Sequence, residues 1–428
     1  MISDQSTLNL FAASVVNKET AINTFRACDQ SLVVAEGDFI QIVPMRGVNE
    51  GDATGTEEPT EFYDDGRSYK MSVSPKYATY NHLAFLLSYG LGACVSSAVT
   101  DGYSHVITPI DGFVDNQRSN PTFTAVQRLG GGTEWIRVAS GAVQSVSETY
   151  EVGSPLAVSA NIVFTGKYEK NVREETVYAL DNVTSLTLSN EIYGATAAER
   201  LDSVASVRVS YNGIDYQYIT PTDSAATSGL TIPSLGGSGS QVAYKVLFRH
   251  LNPSWIPLPS AVSEPHIKVT AFYFTIGGSW NGTDFQGGRT ICYDFGSLKV
   301  DFSNEGLEPK MTPCNPDPDV LYGGLLKRTG RSHTITLDKD LSDALMGALY
   351  DSGETIGLHI ITEGPLMSGS LTERYSYERV FPRLAMMDRQ FSTSDKRNKE
   401  SLTLRALEDP TYGSTIAKIV NQQAGYAA

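Results

Sequence analysis

The sequence predicts a mainly β fold made of two related halves, each with one short α-helix, and a further β domain set between them. Three observations predict it. The first is composition: charged residues are only 19%, while Gly (38) and Tyr (22) are plentiful, a usage suited to half-buried pleated surfaces. The second is the alternation of apolar and polar residues that recurs along most of the chain. The third is a strand-then-helix unit that occurs twice. In Ser68–Gly92, Tyr69, Met71 and Val73 alternate with Lys70, Ser72 and Ser74. Pro75 ends that ladder, and Leu83, Leu86, Leu87 and Gly90 then recur at helical spacing up to a glycine stop. In Ser332–Gly353, His333, Ile335 and Leu337 alternate with threonines. Leu341, Leu345, Met346 and Leu349 form a second helical stripe, closed by Asp351-Ser352-Gly353.

The chain is 428 residues long, enough for two or three domains of ~100–200 residues. Its net charge of −15 argues against binding nucleic acid by phosphate neutralisation, which needs clustered Lys and Arg. No apolar run approaches the ~20 residues of a membrane span. Cys28, Cys94, Cys292 and Cys314 are far apart and form no CxxC, so free thiols are expected rather than a metal site or a disulfide framework. The first twenty residues hold neither a basic leader nor a clean apolar stretch, so no secretory signal is expected there.

Taken in order, residues 1–30 read as an N-terminal arm with a short helix around Leu8–Val16. Residues 31–171 read as the first half: a strand at Phe39–Val43, the loop Arg46–Arg67, the first strand–helix unit, then strands at Thr122–Leu129, Glu134–Val138, Ala142–Ser147 and Leu156–Phe164. The loop carries seven acids, Glu50, Asp52, Glu57, Glu58, Glu61, Asp64 and Asp65. A loop of that length inside a compact domain is functional, ordered by a partner, or a solvated surface. Residues 172–262 read as an inserted β domain. There Asn212-Gly213 between alternating runs is a strong hairpin signal, Ser185–Leu188 and Val242–Phe248 add strands, and Ser234–Ser240 reads as a flexible loop. Residues 263–410 resume the scheme with strands at Lys268–Ile276 and Ser297–Phe302, a second long loop at Asn304–Arg331, the second strand–helix unit, and strands at Ile356–Ile361, Ser376–Phe381 and Leu402–Leu407. Residues 411–428 read as a thin C-terminal tail.

No catalytic constellation emerges, so no enzyme activity, metal or cofactor is expected. The six histidines, His82, His105, His250, His266, His333 and His359, are dispersed, with no HxxxH, HExxH or GxSxG. Asp64-Asp65 reads as a solvated pair. Asn315–Asp319 spaces oxygen ligands at every second position, but its prolines and the missing glutamate argue against a calcium loop. Gly130-Gly131-Gly132 lies between strands and reads as a turn, not a phosphate cradle. Lys327, Arg328 and Arg331 form a small basic cluster that could touch a phosphate; more often such a cluster pairs with an acidic neighbouring subunit, to which Lys310 would add.

The order of these pieces resembles the tail tube (major tail) proteins of long-tailed, non-contractile bacteriophages. The pieces are Tyr69–Val73 followed by NHLAFLLSYGLG; the stretch Pro121–Lys167, with its hairpin, its "GAVQS" strand and its closing "FTGK"; and the order Ser297–Phe302, long loop, SHTITLDKD, helix, ESLTLRALEDP. The resemblance spans residues 31–170 and 266–410. It implies two duplicated β-sandwich tube modules, each with a flanking short α-helix, plus the inserted β domain. It also implies a structural virion protein, made in the host cytoplasm, whose stacked rings form a conduit for genome delivery. Its partners would be itself, other tail proteins at the tube ends, and double-stranded DNA passing the lumen without specific binding; no membrane is implied. If six modules close a ring, three two-module chains suffice; a homohexamer is the alternative. The acidic residues Glu50 to Asp65 would then be an inter-ring assembly loop, with Lys310, Lys327, Arg328 and Arg331 as complementary charge. Two other classes fit the composition: a β-rich surface binding or adhesin protein, and a carbohydrate-active enzyme, which needs two carboxylates ~5–10 Å apart.

Overall fold

The computed structural model describes residues 10–48, 62–110, 119–129, 134–212, 215–250, 255, 258–291, 293–310, 323–342, 344–394 and 396–427. Strands dominate, in large antiparallel sheets, and the described residues hold three α-helices. The chain divides into two compact units. One comprises residues 10–126, 138–167 and 259–428; the other comprises 1–9, 127–137 and 168–258.

In the larger unit the alternating segments are strands with one face buried. Tyr69, Met71 and Val73 of strand Phe62–Val73 are buried while Lys70 and Ser72 are exposed. His333, Ile335 and Leu337 of strand Gly330–Asp340 are buried in the same rhythm. The first helix, Tyr80–Leu91, starts where the Thr79 side chain accepts from the His82 N–H, and it ends at Gly92 in the left-handed region (φ 104°). Both are ordinary helix signals. The sequence predicts one buried stripe on this helix, yet all twelve residues are buried. Phe85 and Tyr89 pack edge-on against Phe123 on one side, and Tyr80 stacks on Tyr375 on the other. A helix covered on all sides needs apolar residues all round, and YNHLAFLLSYGL supplies them. The last helix, Leu345–Ser352, ends at Gly353 with the same left-handed cap, but only Met346 and Gly347 are buried. Leu341 precedes it.

The order of strand pairing is the same in the two halves. In the first, Leu10–Ala13 pairs with Phe123–Leu129, which neighbours Glu134–Glu151. That strand pairs with Ala157–Phe164, which pairs with Phe62–Val73, which pairs with Gln41–Val48. In the second, Phe272–Trp280 pairs with Ile356–Leu366, which pairs with Arg374–Ser394. That strand pairs with Arg397–Ala406, then Gly330–Asp340, then Phe295–Glu305. A helix follows the corresponding strand, 62–73 or 330–340, in each half. In the second it leads straight into 356–366, while in the first the hairpin Gly92–Val99 with Gly102–Pro109 intervenes before 123–129. The long strands even share a bulge, at 143/145 against Ile162/Asn161 and at 386/388 against Leu404/Thr403.

Several expected elements differ. The Leu8–Val16 helix is, from Leu10 to Ala13, a buried strand paired with Gln30–Leu32; Asp29 then takes the Val15 and Val16 N–H groups and ends it. Glu134–Val138 and Ala142–Ser147 are one 18-residue strand. It bends at Ser140 (φ 55°), whose N–H and hydroxyl both donate to Glu19. At Gly141 a Cβ would lie 2.6 Å from the Phe164 ring, so the bend needs glycine. The Arg46–Arg67 loop is shorter than expected, because Gln41–Val48 and Phe62–Val73 form a hairpin paired as far as Val48 with Phe62. The second long loop is likewise shortened by a ribbon, Glu308–Lys310 with Leu325–Lys327. The thin tail is core: Ile416–Asn421 pairs with both Arg374–Ser394 and Gly102–Pro109, and the buried Tyr426 hydroxyl donates to Asn81.

In the smaller unit, Val172–Leu180, Gln241–Arg249, Val204–Ser210 and Gln217–Ile219 form a four-stranded antiparallel sheet. Its core includes Leu186, Val207, Tyr244, Val246 and Phe248. The glycine-rich stretch before Gln241 is pinned: Asp181 accepts from the N–H groups of Gly239 and Ser240.

Candidate assembly interface

Strands of the larger unit's two halves join into one run of eight: 41–48, 62–73, 157–164, 134–151, 295–305, 330–340, 397–406 and the C-terminal half of 374–394. One face is core, carried by Met71, Ile162, Val146, Phe302, Ile335 and Leu404. The other is polar and built mostly of short side chains. Ser72 donates to Asn161 and Asn161 to Ser145, at 2.8 and 2.9 Å. Ser297 donates to Asp338 at 3.0 Å, and Lys299 pairs with Asp301 at 2.8 Å. Thr334, Thr336, Ser401 and Thr403 continue the face by strand alternation. By the same alternation the described part of this face carries Lys70, Lys299, Arg397, Lys399 and Arg405 against Glu151, Asp301, Glu305, Asp338, Asp340 and Asp388, five cations to six anions.

The seam between the halves lies inside this run, where Ser145–Glu151 pairs antiparallel with Ser297–Ser303. Three contacts lock it. The Asn304 amide donates to the carbonyls of Gly90 (3.0 Å) and Val143 (2.9 Å). Phe302 lies so close to the first helix that a Cβ on Gly90 would sit 2.9 Å from its ring. Glu148, from the first half, accepts from the hydroxyls of Tyr150 and Tyr377 at 2.6 Å each and pairs with Arg379 at 3.3 Å, all buried. Arg379 also donates to Thr415. Burial, reinforced by the Glu148 charge, holds both phenols well above their ordinary pKa. These groups therefore donate, and the carboxylate accepts.

Sequence-predicted residues fall in three places. Glu50, Asp52, Glu57, Glu58 and Glu61 lie outside the described residues. Asp64 and Asp65 are in strand 62–73, with Asp64 opposite Arg46, so they belong to a hairpin arm rather than a loop. The basic cluster divides. Lys310 and Lys327 are exposed on the short ribbon. Arg328 is buried and donates to Asn120 and to the Ile110 carbonyl. Arg331 donates to the carbonyls of Ile110 and Leu91 and to Asn304, closing the C-terminal end of the first helix, where carbonyls lack helical partners. Two of the four cations thus serve the subunit's interior. Among the histidines, burial pushes His82 down to about 4, and burial with the Arg379 and Arg331 charges holds His333 well below its usual value. Both are neutral core residues. Among the described residues no cluster of three metal-ligating side chains occurs.

Sequence reasoning missed the Glu148–Tyr377–Arg379 lock and the Phe302 and Asn304 contacts. Their only signal is a polar residue at an inward position of an alternating strand, as Glu148 is in SVSETYE. Compared with known proteins, the chain matches no family model and no curated protein.

Proposed function

We propose that this chain is a tail tube protein of a long-tailed, non-contractile bacteriophage, a structural subunit whose rings stack into a conduit for the genome. The observation that carries the reading is the eight-stranded run: two halves with the same pairing order, fused side by side, presenting one polar face of mixed charge. On this reading each half is a β-sandwich tube module with its helix, the module having been duplicated within one chain. Three chains supply the six modules of a ring, and the polar face lines the lumen. A lining of Ser, Thr and Asn in which anions slightly outnumber cations offers DNA no cluster of basic residues, so the duplex passes without being gripped. The smaller unit is decoration outside this scheme. Negative-stain electron microscopy of the purified protein tests the reading. Rings or tubes with a central channel are expected; a protein that stays monomeric at all concentrations refutes it. Mass measurement on isolated rings tests the stoichiometry, with three chains expected and six refuting the duplication.

A further inference from the structure

The seam within the chain supplies a template for a seam between chains. Matching the two halves through their shared bulge and pairing places Ser145 on Asp388 and Val146 on Arg389. The same matching, through the buried rows Tyr69/Met71/Val73 and His333/Ile335/Leu337, places Ile42 on Phe302 and Val43 on Ser303. The internal seam joins the first half's long strand to the second half's edge strand. Its counterpart would join the second half's long strand to the first half's edge strand. Within one chain both are open. Gln41–Val43 pairs only with Ser68–Lys70, and Asp388–Ser394 only with Arg397–Thr403, among the described residues.

The packing tells the same story. Phe302 fills the space between the first helix and strand 134–151 and is 2% exposed. Its counterpart Ile42 is 45% exposed. The corresponding space in the second half, between the last helix and strand 374–394, is an open groove of about 670 Å³ lined by Ala344, Gly347, Ala348, Asp351, Arg389 and Phe391. Phe391 is 61% exposed beside it, and Leu345 and Tyr350 on the last helix are 39% exposed each. The first helix is buried all round because strands 92–99 and 102–109 of its own half and 374–394 and 416–421 of the second cover it, with Phe302 beside Gly90; the last helix lacks such cover.

We infer that the edge Asp388–Gln390 of one copy pairs antiparallel with Gln41–Val43 of a second copy, with Val43 opposite Asp388, Ile42 opposite Arg389 and Gln41 opposite Gln390. The incoming Ile42 seats against the groove beside the last helix. The contact is heterologous, so it repeats head to tail until a ring closes. Two open edges with exposed apolar side chains would otherwise invite indiscriminate pairing. Pro44, next to the paired residues, lacks the N–H needed to extend the ladder and limits its length. The inference rests on the tube reading for the ring, but the register rests on the internal seam alone.

Paired cysteines test it. Gln41→Cys with Gln390→Cys places both thiols opposite each other on the polar face. Gln41→Cys with Phe391→Cys is the control, since a one-residue slip turns a side chain to the other face. On mild oxidation of the assembled protein, the first pair should give a disulfide-linked ladder ending at the trimer. The control and each single variant should stay at the wild-type background. Equal or stronger linking in the control overturns the register, as does the absence of linking in assembled rings, while rings seen by microscopy would leave the tube reading intact. Linked closed trimers that never stack would uphold the register and refute the tube. If the paired variant does not fold, hydrogen exchange on the wild type decides: amides in 41–43 and 388–390 should gain protection on assembly, and unchanged exchange there overturns the inference.

Discussion

Replacing Glu148 by alanine should be among the most damaging single changes in this chain. Glu148 and Arg379 are 2% and 0% exposed at their side chains, and they come from different halves. Alanine at 148 leaves a fully buried guanidinium without its counter-charge and takes the acceptor from two buried phenols. Breaking a buried pair from one side costs about 3–5 kcal/mol, a large part of a domain's typical stability of about 5–15 kcal/mol. Arg379→Ala strands the carboxylate instead, but the two phenols still donate to it, so its cost should fall at the lower end of that range. The double variant removes both charges and should cost clearly less than the sum. A double-mutant cycle by urea unfolding, with the dependence on denaturant checked for constancy, should return a coupling of about 1–3 kcal/mol. Additivity within about 0.5 kcal/mol would refute the view that this pair locks the halves together.

Three further outcomes can be measured. The Glu264 carboxyl accepts from the Asn81 N–H at 2.6 Å, and burial pushes its pKa up to about 7 from 4.5. Its folded pKa is raised, so the stability it provides is complete below its unfolded value and is lost as pH rises through about 7; roughly 3 kcal/mol should go between pH 4.5 and 8, and Glu264→Gln should flatten that slope in unfolding titrations. Ile42→Asp and Phe391→Asp, both at exposed edge positions, should change subunit stability by less than about 0.5 kcal/mol while abolishing ring formation in sedimentation; a folded variant that still assembles would count against the pairing. Deleting Gly51–Glu58 should leave a folded, soluble subunit that stacks poorly, and wild-type polymerisation should weaken with salt, because exposed ion pairs contribute only about 0–1 kcal/mol each and several are needed; normal polymerisation of the deletion would show that the acidic segment plays no part.

What the sequence made legible were local periodicities. The alternation at 69–73 and 333–337 and both glycine helix stops read directly from residue spacing, and so did the mainly β class. Partners far apart in the chain did not. Nothing local tells that Phe302 will seat on Gly90, or that the run 416–421 will enter a sheet with residues 103–107. LFAASVV at the N-terminus suits a helix as well as a strand, and only Gln30–Leu32 beside it decides. The break expected in strand 134–151 is a bend, invisible as such because Ser140 reaches its unusual backbone angle with the help of Glu19. The candidate interface was the least legible part. Edges are defined by which strand lies next to which, and Arg328 and Arg331 looked available only because the carbonyls they serve lie more than 200 positions away in the chain.

The burial of the first helix also sets a timetable for the chain's synthesis. Part of its cover comes from strands 374–394 and 416–421 of the second half and from Tyr426, which reaches Asn81. A ribosome adding ~5–20 residues per second needs roughly 15–70 seconds more to reach that tyrosine after the helix has been made. Through that interval Tyr80 and its neighbours lack their cover, and the strand 295–305 that completes the seam arrives only part-way. Nascent chains on one message therefore cannot offer each other a finished module. Until its own second half arrives, the first half holds an uncovered helix and an open strand edge, the two features that invite misassembly between neighbouring chains.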